Sequence, residues 1–354
     1  MKILRVTTEL NYGGIEKVFE LHAKYHDKSY DLVFVALGNG GNTEVLLQKL
    51  GYKVIVLNAI KVTIPSLKLI SALTKVIKEE NPDVVHAAGA EANFHATLAA
   101  KISGVKKIIC EEIGIPSHSI KAKLFFRLIY SFSDKVIAIS KAVETYLVES
   151  KESPANKVVL IYNPVNEFVK VEEVKKEEFL ITIVARLEPV KNIDLLIEAF
   201  AELIKRFPKA KLSIIGNGSL RNVLQKQAER LHMDENISFK GYLVDPYPEL
   251  LKSTFFVLPS LFEGFGLACI EAIQTENIVI CTDSGGIPEF VSDGEHGFLF
   301  NPTSKEALLE KLEKAILLPE TEKARMINSA QVKVKQMFSP AKYLSQLQEL
   351  YQLT

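Results

Sequence analysis

Short runs of β-branched and aromatic residues alternate with longer amphipathic segments along most of the chain. In the first half these runs predict the following strands: Ile3–Val6, Leu32–Ala36, Lys53–Leu57, Val84–His86, Lys107–Cys110 and Val136–Ile139. Helical periodicity fills the intervals, as at Leu67–Lys78 and Ala92–Ile102. Regular alternation of this kind predicts a parallel sheet with helices on both of its faces.

The alternation pauses once, near the middle of the chain. Residues 161–166 contain an Asn-Pro turn signal, and the charged residues 170–178 that follow are typical of a solvated connector. The pattern then resumes with a second set of predicted strands: Leu180–Val184, Lys211–Ile215, Ile237–Phe239, Phe255–Leu258, Ile278–Cys281 and Gly297–Phe300. Ile193–Phe207 has helical periodicity, and so does the chain after residue 303.

These patterns predict an α/β protein with two doubly wound, Rossmann-like domains that face a cleft. We place the domains at residues 1–165 and 166–335, and a C-terminal helix at residues 336–354. Doubly wound sheets bind ligands beyond the carboxyl ends of their strands, where the strand order reverses. Binding residues are therefore expected in the loops that directly follow strands.

Composition narrows the class of function. The 354 residues include 43 acidic and 43 basic side chains, and this balance argues against a general nucleic-acid binder. Cys110, Cys269 and Cys281 are scattered, which favours a reducing, cytoplasmic compartment. The chain enters a strand at once, without a signal-peptide pattern, and no apolar stretch approaches the roughly 20 residues that span a bilayer.

Two glycine loops follow predicted strands. Gly13 and Gly14 precede a helical segment, where the backbone could approach a phosphate at the helix N-terminus. Gly216 lies in a segment that resembles half of a dinucleotide fingerprint, although the spacing is incomplete. A plain tight turn is the alternative in both loops, because paired glycines are a weak motif.

Arg186 and Lys191 are cations five positions apart in the loop after the strand that ends at Val184. Such a pair could hold both ends of a diphosphate and neutralise a departing nucleotide. Two solvated surface cations are the alternative.

Glu263 and Glu271 flank a glycine-rich turn that follows Phe255–Leu258 and opens a helix. Backbone N–H groups around Gly266 and Leu267 could contact a phosphate or a sugar hydroxyl. Glu271 is expected about 7 Å further along the helix axis. The two carboxylates could therefore hold two parts of one elongated ligand. A helix cap and a solvated glutamate are the alternative.

Other chemistries have little support. The sequence has no Asp-x-Asp pair, which is the usual signal of a metal-held nucleotide sugar, and we predict no metal site. It also has no GxxxxGK[ST] phosphate loop and no GxSxG elbow. His22 and His26 are four residues apart without the glutamate of an HExxH site, so we predict that they lie on a surface helix face.

Taken together, the loops resemble the family 4 retaining glycosyltransferases, which have the two-domain glycosyltransferase-B fold. Val184–Lys191 resembles the family segment G-R-L-x-x-x-K, with Ala185 where glycine is common. Leu258–Glu271 resembles the family motif of two glutamates seven residues apart, and Thr282–Glu289 is also typical. The resemblance covers almost the whole chain and is strongest from about residue 180 to residue 302.

The resemblance implies a role for each matching residue on the donor side. Arg186 and Lys191 would bind the donor diphosphate, and Glu263 would contact the transferred sugar together with the backbone of Phe265, Gly266 and Leu267. Glu271 would hold the ribose. The remaining implied donor contacts are near the base or the diphosphate: Gly216, Tyr242, Gly13 and Gly14.

The resemblance also implies an acceptor side on the first domain, with the C-terminal helix crossing back onto that domain. Many relatives carry an acceptor-side histidine where this chain has Cys110–Gly114, a segment without histidine. The candidates for the acceptor-side residue are Glu111, Glu112, His118 and His86.

The implied function is hexosyl transfer from a UDP- or GDP-sugar to a glycan or lipid-linked acceptor, with retention of configuration. Neither a metal nor a cofactor is implied, since the nucleotide sugar is a substrate. A binding paralogue without turnover, an epimerase and a phosphorylase on the same fold are the alternatives. The base and the sugar of the donor stay open.

Residues 119–133 raise the question of a membrane. The segment has three cations among apolar residues: Lys121, Lys123 and Arg127. Leu124, Leu128 and Phe132 recur at helical spacing, and a basic amphipathic helix could lie on anionic lipid at the inner face of the cytoplasmic membrane. The alternative is a helix that covers the first sheet.

Overall fold

The computed structural model describes residues 1–116, 119–166 and 174–352. The chain divides into two compact units: Met1–Asn166 together with Phe338–Thr354, and Glu167–Met337. The charged connector predicted at residues 170–178 lies partly outside the described residues.

The described part of the first unit contains one seven-stranded parallel sheet. Its strands are β1 (Lys2–Thr7), β2 (Asp31–Ala36), β3 (Lys53–Val56), β4 (Val84–Ala88), β5 (Lys107–Glu112), β6 (Lys135–Ala138) and β7 (Val158–Leu160). The spatial order is β3-β2-β1-β4-β5-β6-β7, so the order reverses between β1 and β4.

The second unit contains a six-stranded parallel sheet in its described part. Its strands are β8 (Glu177–Val184), β9 (Lys211–Ile215), β10 (Ile237–Gly241), β11 (Ser253–Leu258), β12 (Ile278–Thr282) and β13 (Phe298–Phe300). The spatial order is β10-β9-β8-β11-β12-β13, and the reversal falls between β8 and β11.

Helices connect most of the successive strands in both units, and three more follow the last strand, β13. They are α1 (Gly14–Tyr25), α2 (Asn42–Lys49), α3 (Leu67–Glu80), α4 (Ala90–Ser103), α5 (Ile120–Phe132), α6 (Lys141–Glu149), α7 (Ile193–Leu203), α8 (Arg221–Arg230), α9 (Tyr247–Lys252), α10 (Leu267–Gln274), α11 (Lys305–Leu317), α12 (Glu320–Met337) and α13 (Pro340–Gln352). Short 3₁₀ helices form at Pro189–Lys191 and Ile287–Glu289.

The predicted fold class is confirmed, because each predicted strand overlaps a strand of one of these two parallel sheets. The central strands are continuous apolar runs because helices cover both faces of each sheet. Phe255–Leu258 of β11, for example, is buried throughout. The three-residue strand β7 was not predicted.

The last helix, α13, packs into the core of the first unit through Tyr343, Leu347, Leu350 and Tyr351. Beside it, Arg5 of β1 is fully buried. Both terminal nitrogens of this guanidinium have partners, since Nη2 donates to Glu111 Oε2 at 3.0 Å and Nη1 donates to the Tyr343 hydroxyl at 3.2 Å.

A second tyrosine of α13 extends this buried network. His86 Nε2 lies 3.1 Å from Glu111 Oε2, and the Tyr351 hydroxyl is 2.7 Å from His86 Nδ1. Burial, with the charge of Arg5, lowers the pKa of His86 to about 4, so its ring is neutral at pH 7. The carboxylate can only accept, so His86 presents Nε2–H to it and Nδ1 accepts from Tyr351.

The prediction that His22 and His26 lie on a surface helix face is wrong. Both are buried: His22 lies in α1 and shares a face with the core residues Val18 and Phe19, and His26 follows the last residue of the helix. Arg5 Nη1 lies 2.9 Å from His22 Nδ1. Because a guanidinium can only donate, Nδ1 is the acceptor and the opposite nitrogen carries the proton.

Candidate functional site

The candidate site in the second unit lies at the reversal between β8 and β11. Parallel strands end at the same edge of a sheet, so the loops that follow these two strands meet there. The first loop covers residues 185–192 and the second covers residues 259–266. Leu261 N–H donates to the Val190 carbonyl at 2.9 Å, which ties one loop to the other.

The first loop has both predicted cations. Arg186 is exposed just after β8, and Lys191 ends the 3₁₀ helix. Asn192, which follows in the left-handed conformation with φ of 53°, is the N-cap residue of α7. Its Nδ2 donates to the carbonyls of Pro259 at 3.1 Å and Pro302 at 2.8 Å, so the loop is fixed at its end.

Lys191 and Glu263 form the central contact of the site. Lys191 Nζ donates to Glu263 Oε2 at 2.6 Å, and the two side chains are 17% and 14% exposed. Ser260 Oγ donates to the same oxygen at 3.2 Å. The structure thus pairs two predicted site residues that are far apart in sequence. It adds Ser260, which the sequence analysis did not single out.

The backbone of Glu263 is held by the Thr282–Glu289 segment, whose role the motif alone did not indicate. Gly286 N–H donates to the Glu263 carbonyl at 3.0 Å. Gly285 has φ of +66°, and a Cβ added there would lie 1.7 Å from that carbonyl oxygen. Only glycine allows this approach, because an added carbon would displace Glu263.

Gly285→Ala should therefore lower the free energy of unfolding by well over the roughly 1–2 kcal/mol of left-handed backbone strain alone, and it should also lower any activity that depends on Glu263. Gly294→Ala is the matched control, since Gly294 has φ of +78° but open space where the Cβ would go. Urea unfolding and initial rates of both variants test the prediction. Equal losses in the two variants would contradict the close-contact argument.

The second glutamate, Glu271, lies in α10 behind the glycine turn. Gly266 caps this helix in the left-handed conformation with φ of 94°, and Leu267 is its first residue. Glu271 is buried rather than solvated, and Phe265 is buried as well. Burial raises the pKa of Tyr247, and the nearby charge of Glu271 raises it further.

Gly216 and Tyr242 follow the neighbouring strands β9 and β10. Gly216 has φ of +136°, and a Cβ there would lie 1.8 Å from the Ala185 carbonyl oxygen. Gly216 N–H donates to the Gly241 carbonyl at 2.7 Å. Tyr242, which follows Gly241, is exposed. The glycine is therefore required for packing of the loops, whatever else it contacts.

Gly13 and Gly14 belong to the first unit, in the loop after β1. Gly13 caps α1, Gly14 is its first residue, and both are exposed. A Cβ at Gly13 would meet only the flexible end of the Glu16 side chain, at 2.3 Å. The first turn of α1 thus begins at two solvent-exposed glycines.

The acceptor-side candidates separate by burial. Glu111 and His86 are fully enclosed in the network around Arg5. Burial alone would raise the pKa of Glu111, but His86 and the charge of Arg5 outweigh it and lower this pKa. Glu111 and His86 therefore stabilise the core of the first unit. His118 lies outside the described residues.

Glu112, the last residue of β5, is buried in a different cluster. Its Oε1 accepts from the Tyr130 hydroxyl and from Asn93 Nδ2, the latter at 3.1 Å. Burial, with a contribution from the charge of Glu152, raises the pKa of Glu112 to about 7. Glu112 therefore changes charge near neutral pH without being accessible to an acceptor.

The raised pKa of Glu112 predicts a stability change with pH. In the unfolded chain this carboxyl loses its proton near pH 4.5, whereas the folded protein keeps the proton to about pH 7. The protonated Glu112 carboxyl therefore contributes its full share of the free energy of unfolding below pH 4.5, and this contribution is lost as the pH rises to about 7. Because one pKa unit corresponds to about 1.4 kcal/mol, wild type should lose about 2.5 kcal/mol between pH 5 and pH 8 that Glu112→Gln does not lose.

Denaturant unfolding at the two pH values measures this difference. Glu79→Gln is the control, because Glu79 has an exposed side chain on α3 of the same unit. Parallel pH dependence of wild type and Glu112→Gln would contradict the prediction.

No group of three or more His, Cys, Asp and Glu residues that could hold a metal ion occurs in the described ranges. In the same ranges, no helix combines the length and apolarity needed to cross a bilayer.

Two protein-family models match the chain on consecutive segments. The model described as Glycosyltransferase Family 4 matches residues 12–167, and the model described as Glycosyl transferases group 1 matches residues 165–333. The chain belongs to glycosyltransferase family 4. Its Arg186–Lys191 loop and its two glutamates lie within the second match, and Gly13 and Gly14 lie within the first.

Curated relatives of this glycosyltransferase are themselves glycosyltransferases. One is the N-acetylgalactosamine-N,N'-diacetylbacillosaminyl-diphospho-undecaprenol 4-alpha-N-acetylgalactosaminyltransferase of Campylobacter jejuni. It is 27% identical over 256 residues, which are 69% of each chain.

Solved structures share the fold of the glycosyltransferase. HepE from Anabaena, in complex with UDP and glucose, has a TM-score of 0.87 at 20% identity over 100% of both chains. The lipopolysaccharide outer core galactosyltransferase WaaB has a TM-score of 0.74 at 20% identity over 99% of each chain. The predicted glycosyltransferase-B fold is therefore confirmed.

Proposed function

We propose that this glycosyltransferase moves a hexosyl group from a UDP-sugar to a glycan or lipid-linked acceptor, with retention of anomeric configuration. The observation that carries the proposal is the Lys191–Glu263 pair at the β8/β11 reversal, where Lys191 shares its loop with Arg186. UDP is favoured over GDP because HepE was solved with UDP and glucose.

In this proposal the two cations and the two glutamates divide the donor between them. Arg186 and Lys191 bind the diphosphate, since a cation can neutralise the charge of the leaving nucleotide. Glu263 contacts the sugar, with the backbone of Phe265, Gly266 and Leu267 beside it. Glu271, which is buried one turn into α10, accepts from the ribose hydroxyls.

The remaining donor contacts and the reaction follow from the same assignment. Gly216 and Tyr242 lie near the base. The bond from the anomeric carbon to the phosphate oxygen breaks while the acceptor oxygen bonds to that carbon on the same face. The acceptor proton passes to the leaving phosphate oxygen. Positioning and electrostatic stabilisation then supply most of the catalysis.

We further propose that the transfer needs no divalent metal and no cofactor beyond the donor. Arg186 and Lys191 would supply the positive charge that a metal supplies in other nucleotide-sugar sites. EDTA should leave the rate unchanged, and a strict requirement for a divalent cation would contradict this part of the proposal.

The acceptor class rests on the relatives. The Campylobacter relative is named for a diphospho-undecaprenol acceptor, and WaaB for the lipopolysaccharide outer core. We therefore propose a role in surface polysaccharide or glycoconjugate biosynthesis, on the cytoplasmic side of the membrane and in peripheral contact with its anionic lipid.

A thermal-shift panel of UDP-, GDP- and ADP-sugars tests the donor. A specific donor at a hundredfold excess over its Kd should stabilise the protein by about 2.7 kcal/mol. Assays with that donor then separate the alternatives. Transfer or slow hydrolysis supports the proposal, an altered sugar at the nucleotide indicates an epimerase, and binding without turnover indicates a paralogue. If no sugar nucleotide in the panel shifts the melting temperature, the proposed function is wrong.

A further inference from the structure

The outer face of α5 is apolar and uncovered. Ile120, Leu124 and Leu128 are 80%, 63% and 56% exposed. They are spaced four residues apart, so they form a ridge about 12 Å long on one side of the helix. Large apolar side chains in a continuous exposed row are typical of an interaction surface.

The opposite face of α5 is already occupied by the first unit. Phe126, Ile129 and Tyr130 are buried, and the ring of Phe125 stacks on Phe94 of α4 at 5.0 Å between centroids. The Tyr130 hydroxyl donates to the buried Glu112. These contacts fix the rotation of α5 about its axis. The hypothesis that α5 covers the first sheet therefore accounts for one face only, and it leaves Leu124 and Leu128 outside.

The charges on α5 have a single sign. Lys121 and Arg127 are exposed, and Lys123 Nζ lies 5.2 Å from the centre of the Tyr146 ring. No acidic residue occurs between residues 119 and 133. At 100° per residue, Lys121 and Arg127 lie on either side of the ridge. A second copy packed on this face would bring like charges together, which disfavours self-association.

We infer that the α5 face docks the protein on an anionic bilayer surface, with the ridge at the acyl boundary and the cations at the lipid headgroups. Helices of this pattern bind through buried apolar area plus attraction to anionic lipid. The inference rests on the proposed lipid-linked acceptor. Because α5 follows β5, its first residues lie near the carboxyl edge of the first sheet. Docking would bring that edge toward the lipid.

Vesicle co-sedimentation of the full chain tests the inference. Wild type should bind vesicles of 70% phosphatidylcholine and 30% phosphatidylglycerol, bind pure phosphatidylcholine at least about tenfold more weakly, and lose binding at high salt. Lys121→Glu with Arg127→Glu should weaken binding at least about 25-fold, since each lost cation is worth about fivefold. Leu124→Asp with Leu128→Asp should abolish binding.

Matched variants on the second unit control for general effects. Lys209→Glu with Lys226→Glu removes two exposed cations there, and Leu317→Asp removes an exposed leucine. Both should bind vesicles as wild type does. All variants should keep the donor-induced thermal shift, which depends on the second unit. If wild type shows no donor-induced thermal shift, that result would count against the proposed function and not against docking.

Three outcomes would overturn the inference: no binding of wild type to anionic vesicles, unchanged binding of the Leu124/Leu128 variant, or a dimer in solution that this variant dissociates. Light scattering after size exclusion detects the dimer.

Discussion

Replacing Lys191 with alanine should lower turnover about 10²–10³-fold at saturating donor, and Arg186→Ala should have an effect of similar size. This is the loss expected when one preorganised electrostatic donor is removed from the site of developing charge. Lys191 is held against Glu263 at 2.6 Å, so its position costs little to organise. Initial rates of purified variants with the donor found in the binding panel measure the effect.

The companion variants separate catalysis from folding. Lys209→Ala removes an exposed lysine of the same unit and should leave turnover unchanged. Glu263→Gln should weaken sugar positioning more than it abolishes the reaction, because the proposed proton acceptor is the donor phosphate. Near-normal turnover of Lys191→Ala would contradict the proposed role of the lysine. An inert Glu263→Gln protein with normal donor binding would instead indicate acid–base catalysis by the glutamate.

Glu111→Gln should lower the free energy of unfolding by about 3–5 kcal/mol, because it leaves the buried guanidinium of Arg5 without its charge partner. Arg5 and Glu111 are almost completely inaccessible, and their contact is 3.0 Å long. A loss of this size is a large part of the roughly 5–15 kcal/mol that stabilises a typical protein. Equilibrium unfolding in urea at pH 7 measures it.

Glu79→Gln serves as the control for Glu111, since its ion pair with Lys75 is exposed on both sides. Exposed pairs contribute about 0–1 kcal/mol, so this variant should unfold almost as wild type does. Equal effects of the two substitutions would show that the buried network is not a source of stability.

The architecture was predictable because each strand of a doubly wound sheet appears in the sequence as a continuous apolar run between helical segments. Strand β7 was not predicted, because a very short strand does not form a recognisable apolar run. Its three residues, Val158–Leu160, are too few to stand out beside a turn. The burial of His22 was recoverable, because helical spacing places it on one face with Val18. The burial of Arg5 was not, because its partners lie up to 338 residues away.

The candidate site was predictable in its residue types and not in its contacts. Lys191 and Glu263 are 72 residues apart, and only the strand order brings their loops together. The close approach of Gly285 to Glu263 likewise depends on the tertiary fold. The spacing of Leu124 and Leu128 indicated an amphipathic helix, but the side that faces the sheet was decided by Phe126, Ile129 and Tyr130.

The docking of α13 on the first unit bears on the order in which the protein can fold during synthesis. Residues 1–166 leave the ribosome first, yet Tyr343 and Tyr351, which bond to Arg5 and His86, are made only after the whole second unit. The second unit is continuous in the chain and can close as it emerges, whereas the core of the first must wait. The sheet of the first unit therefore stays exposed until α13 has been made. During this period the nascent chain is most prone to aggregation and to chaperone binding.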